Sequence, residues 1–193
     1  MSWTNVQGLQ SKAYDCGFCS NRVASAAGFM QQIITPPPAR YAYVYICPHC
    51  GGPSYFDQGS QIPGVRVGSP VNALPRDVEL AYNEARDCMA ASAYTAAALM
   101  LRKILMHIAV DRGAGVDLTF KGYVDYLVAQ HYVPPNGKEW VDHIRDKGNE
   151  LKHELIFASA VHAIELVGLV EMLLKFIYEF PSRVGAVKPQ GTT

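Results

Sequence analysis

Two cysteine pairs, Cys16-Gly-Phe-Cys19 and Cys47-Pro-His-Cys50, constrain this chain more than any other feature. In each pair two intervening residues let both thiolates turn toward one point, and two such knuckles complete a tetrahedron around a zinc ion. The alternative is a pair of disulfides, which a chain with no export signal disfavours. The second knuckle lies in "YICPHCGGP": Tyr41-Ala-Tyr-Val-Tyr-Ile46 alternates like a strand leading into Cys47, and Gly51 and Gly52 let backbone N–H groups approach the sulfurs. The expected ligands of one structural Zn2+ per chain are therefore Cys16, Cys19, Cys47 and Cys50. With all four positions filled by protein, no place remains for an activated water. His49 could replace a cysteine ligand. Cys88 falls in a helical apolar pattern and reads as a small core residue.

Hydrophobic residues make up 49% of the 193, enough for a packed core, and the formal net charge is zero, which argues against coating nucleic acid by charge alone. The N-terminus lacks the charged and apolar regions of a secretory signal, so a cytoplasmic protein is expected. The most apolar stretch, "AIELVGLVEMLLKFIYEF", is interrupted by Glu165, Glu171, Lys175 and Glu179, which mark a buried helix with one polar stripe rather than a membrane span.

These signals divide the chain into a zinc ribbon over residues 1–56, a Gly/Pro/Ser-rich linker over 57–74, a helical domain over 75–181 and a disordered tail over 182–193. The first helical stretch runs to Gly113. It is long enough to predict a break around Ala90 to Ala93. A shorter helix is expected over 118–131, a third over 137–157, and a fourth capped by Ser159 and ended at Pro181. Four helices with short connections predict an antiparallel, up-and-down bundle. The expected fold class is thus mainly α, a four-helix bundle with a small N-terminal β zinc ribbon.

In the third helix, Val141, Ile144, Gly148, Leu151 and Leu155 share one sector, and Gly148 permits close helix approach at a cost of about 1 kcal/mol in propensity. Arg145, Asn149 and His153 form a row beside that stripe. A wholly acidic row of Asp142, Asp146, Glu150 and Glu154 follows it. The polar row reads either as a solvated flank laced with weak ion pairs or as a phosphate-handling set: Arg as a bidentate donor, His as a proton carrier, Asn as orienter. The two ends of the row lie two turns apart, so a compact site needs a second copy of the helix. Arg102, His107 and His143 are further candidates and read more simply as ordinary surface residues.

From about Val78 to Pro181 the chain resembles the bacterial domain of unknown function 4145 family, through "AYNEARDCMAASAYTAAALMLRKIL" and "WVDHIRDKGNELKHE". That family is grouped with the HEPN (higher eukaryotes and prokaryotes nucleotide-binding) helical superfamily, and an N-terminal zinc ribbon is a familiar companion. The resemblance implies a HEPN-like four-helix domain that dimerises, with many members acting as metal-independent endoribonucleases in toxin and anti-phage defence systems. Carried over, Arg145 would stabilise phosphate charge, His153 would act as acid or base and Asn149 would orient them. Seven residues separate Arg145 from His153 here, where ribonuclease members have four to six. Ribbon and helical domain together lead to two expectations: a nucleic-acid-linked, endoribonuclease-like protein whose ribbon helps to hold RNA, DNA or a partner protein, or a non-catalytic dimeric interaction module, a zinc ribbon on a helical dimer, that uses the Arg145, Asn149 and His153 row for structure or ligand binding.

Overall fold

The computed structural model describes residues 2–34, 37–133 and 157–186. The alternating tyrosines do form a strand, β3 (Arg40–Ile46), which lies at the centre of a five-stranded antiparallel meander. Its other strands are β1 (Gln7–Asp15), β2 (Arg22–Ile33), β4 (Pro53–Asp57) and β5 (Ser60–Ile62), each hydrogen-bonded to its sequence neighbour. Asp57 and Ser60 face each other across a two-residue turn in which Gln58 and Gly59 both take positive φ (46° and 84°). That geometry matches the right-handed twist of the flanking strands. A Gly/Ser-rich stretch therefore makes a tight hairpin here and not a loose connection.

The mainly α expectation is overturned. The chain is α+β, with a five-stranded sheet from Gln7 to Ile62 as well as helices, and not a four-helix up-and-down bundle carrying a minor ribbon. The reason lies in β1 and β2. "QGLQSKAYD" and "RVASAAGFMQQI" hold few large apolar residues and leave most side chains exposed, so they show little period-2 alternation. Ladder pairing, β1 to β2 and β2 to β3, holds them in place.

Contacts divide the chain into two compact units, Met1–Arg66 with Met89–Ser92 and Val67–Cys88 with Ala93–Thr193. The core of the sheet unit is small: Tyr14, Tyr45 and Phe56 packed with Cys16 and Cys47. Tyr14 and Phe56 meet edge to face at 5.1 Å, as do Tyr45 and Phe56 at 5.7 Å.

In the helical unit, α1 (Arg76–Ala90) and α2 (Tyr94–Asp111) are separated where their combined length predicts a break, with Ser92 at φ 59°. Gly113, at φ 101°, follows the C-cap of α2. α3 (Phe120–Ala129) is capped by Thr119 and α4 (Ala160–Leu174) by Ser159, whose hydroxyl accepts from the His162 N–H. α2 packs against both α3 and α4, burying Leu101, Leu105, Ile108, Leu127, Leu166 and Leu173. The fourth helix does not end at Pro181. It widens into a π turn over Lys175–Glu179 and continues as α5 (Phe180–Ala186) through residues expected in the tail. The wider turn accommodates a proline ring and its missing N–H, which a regular helix would not.

Two acids of the expected polar stripe are not solvated. Glu171 accepts the Ser69 N–H and Glu179 the Asn72 N–H, both at 2.9 Å, and Lys175 and Arg183 pair with them. Arg86, almost fully buried, donates to the carbonyls of Val67 (3.2 Å) and Gly68 (2.9 Å). The extended segment before α1 is therefore tied down through its backbone. Among the described residues no helix is long and apolar enough to cross a membrane.

Candidate metal centre

The loop after β1 and the loop after β3 bring Cys16, Cys19, Cys47 and Cys50 together, with their four Sγ atoms all within 4.8 Å of one another. Both loops fold alike. The Cys16 carbonyl accepts from Ser20 N–H (2.8 Å) and the Cys47 carbonyl from Gly51 N–H (2.9 Å), while each first cysteine donates its own N–H two residues past the second, to Asn21 and Gly52 respectively. Ser20 and Gly51, at equivalent places, both take positive φ, 58° and 73°. Gly52 is required for a different reason. A Cβ there would meet the Phe18 ring at 2.6 Å and the Cys50 sulfur at 3.3 Å.

The spacing fits a metal and not disulfides. Cys16–Cys50 and Cys19–Cys47 sulfurs stand 3.8 and 3.9 Å apart. A bonded S–S pair would be at about 2.05 Å. The edge of a tetrahedron with metal–sulfur bonds of ~2.3 Å is about 3.8 Å. All five cysteines are free thiols, and Cys88, half-buried, is not among the four that cluster.

Electrostatics give the same answer. Burial would raise the Cys19 thiol, but the Asn21 backbone N–H and side chain, together with the Cys50 and Cys16 thiols, lower it to about 6. Burial pushes up both Cys16 and Cys50, the latter to about 12, and hydrogen bonds to neighbouring sulfurs raise them further against the backbone N–H groups of Phe18, Cys19 and Gly52. One thiolate forms readily and its charge then opposes the next. A divalent cation at the centre removes that conflict, so the four sulfurs can hold a metal ion.

Around the cluster, Asn21 donates to His49 Nδ1 at 3.1 Å, which engages His49 outside the ligand set, and the Trp3 indole N–H donates to the Gly51 carbonyl at 2.8 Å. Neither contact has a signal in the sequence. In the helical unit, Arg102 is buried with its guanidinium 4.1 Å from the centre of the Phe120 ring, and burial lowers its pKa. His107 is exposed, 3.7 Å from Asp77. Arg145, Asn149 and His153, with His143, lie outside the described residues.

The family described as "Domain of unknown function (DUF4145)" matches residues 83–189, more than half of the chain. The chain belongs to the DUF4145 family. No curated protein and no solved structure matches it. The DUF4145 match begins within α1 and leaves all four clustered cysteines outside it.

Proposed function

We propose that the chain is a zinc-ribbon binding protein with a nucleic-acid-linked role, in which the metal is a structural staple. The observation that carries this reading is the four-sulfur cluster at tetrahedral spacing. A tetrahedral S4 set selects zinc or iron–sulfur chemistry, and sulfurs 3.8 and 3.9 Å apart leave room at their centre for a single ion such as zinc rather than a multi-iron cluster. A closed site leaves no position for substrate, so function falls to the protein surfaces that the metal holds in place. Free thiols fit a reducing, cytoplasmic setting. The nucleic-acid link is supported by Tyr41, half exposed, beside an aromatic cluster that carries Lys12.

A homodimer formed through the helical unit belongs to the same proposal. α4, the π turn after it and the first residue of α5 leave Val161, Ile164, Phe176 and Phe180 exposed, with Gly168 between them permitting close approach. The HEPN-like endoribonuclease reading, through Arg145, Asn149 and His153, rests on the resemblance alone.

Elemental analysis of the purified chain is expected to give about one zinc. Cys47→Ser should lose it, with loss of the near-ultraviolet tyrosine signal and retention of most helical signal. Protein without metal and with paired, oxidised cysteines would overturn the staple. RNA incubated briefly with EDTA tests the enzymatic form: cleavage to 2′,3′-cyclic phosphate ends, absent in Arg145→Ala and His153→Ala, makes the chain a ribonuclease. Intact RNA beside folded protein leaves it a binding module.

A further inference from the structure

The sheet unit has an aromatic face whose buried rings, Tyr45 and Phe56, pack with Cys16 and Cys47, and whose outer ring, Tyr41, is exposed. Tyr41, Tyr43 and Tyr45 alternate along β3 and so point to one side, where Tyr43 pairs directly with Phe56 of β4. Tyr43 and Tyr45 stack with ring centres 6.0 Å apart, and Lys12 from β1 places its ammonium 4.7 Å from the centre of the Phe56 ring. Two open lobes, of about 470 and 250 Å³, share Lys12, Tyr43 and Phe56 as a common wall. The larger lobe continues past Tyr41, which is 49% exposed, to Arg22 and Gln61. The smaller is bordered by Gln10 and Ser11.

The charges on this face are unevenly matched. Asp15 has Arg22 at 3.3 Å and Asp57 has Arg40 at 3.0 Å, so each acid has its own cation. Lys12 has no carboxylate partner among the described residues. It stands on a ring face between the two lobes.

We propose that this face binds single-stranded RNA, with one base stacked on the exposed Tyr41 ring in the larger lobe, the next on the partly exposed Tyr43 ring that both lobes share, and Lys12 on the phosphate between them. The inference rests on the nucleic-acid-linked reading and assigns it a site. Flat rings accept the face of any base, and one unmatched cation suits a backbone that carries one charge per nucleotide. A peptide rich in acids would need several free cations. An apolar peptide would leave Lys12 facing hydrocarbon without a counter-charge. Duplex would hide its base faces in its own stack.

The test uses the zinc-loaded full chain and a fluorescein-labelled 12-nucleotide single-stranded RNA, read by anisotropy. Tyr41→Ala and Lys12→Ala should each weaken binding about tenfold, Lys12→Arg should restore it, and Lys103→Ala, on α2, should leave it unchanged. The salt dependence should be shallow, with a log–log slope near −0.7 for one phosphate, and should flatten in Lys12→Ala. Equal binding of duplex RNA, or binding indifferent to Tyr41 and Lys12, overturns this site while sparing the nucleic-acid role. No binding of any RNA or DNA strand by the folded, metal-loaded protein overturns both.

Discussion

Backbone conformation at single residues carries much of the metal loop geometry. The chain reverses at Ser20 and at Gly51 with nearly the same positive φ, yet only one of the two is glycine. A side chain in the left-handed region costs about 1–2 kcal/mol. Nothing lies within 4 Å of a Cβ built on Gly51, so a substitution there would act through φ alone. Gly51→Ala is expected to lose about 1–2 kcal/mol of stability from the sheet unit. Ser20→Gly should lose almost none, because relief of strain offsets the extra freedom of the unfolded chain. Urea titrations followed by tyrosine fluorescence compare them, and equal losses would show the two turns to be energetically distinct.

Among the elements, α4 with its π turn holds the segment before α1 through two carboxylates. Burial alone would raise the Glu171 carboxyl, but the Lys175 ammonium and the Ser69 N–H bring it below the ordinary value. The Asn72 N–H, aided by Arg183 and Lys175, depresses Glu179 despite its burial. Groups with depressed folded pKa values stabilise above the unfolded carboxyl pKa of about 4.3 and lose that contribution as pH falls through the folded values. Helix melting followed by circular dichroism should therefore be flat from pH 7 to about 5 and decline below about 4. Glu171→Gln should soften the decline, and an undiminished slope would remove this carboxylate from the account. The same two residues show how far pattern reading goes. Their i+8 spacing marks a polar stripe, but spacing carries no information about a backbone segment roughly a hundred positions away that supplies their partners.

At the level of the whole molecule, the exposed apolar row along α4 and its π turn is where the proposed second copy would sit. Light scattering on the purified chain is expected to give twice its 21.2 kDa mass. Phe176→Glu should shift it toward monomer without loss of helical signal, and a monomeric parent protein would discard the dimer.

The residues themselves named the four cysteines that cluster, the β3 strand, the break between α1 and α2 and the Ser159 cap, because each knuckle, strand, break and cap depends on chemistry within a few positions along the chain. The sheet as a whole did not show in the pattern. β1 and β2 owe their conformation to ladder partners and not to side-chain alternation, and the "DQGS" turn looks like any flexible stretch until its flanks pair. The aromatic face is likewise a product of register, since only the pairing of Tyr43 with Phe56 and the placement of Lys12 above that ring bring three separate strands to one surface. Local bonding rules reach about one turn along the chain, whereas a strand's neighbours and a groove's walls are fixed only when distant segments meet.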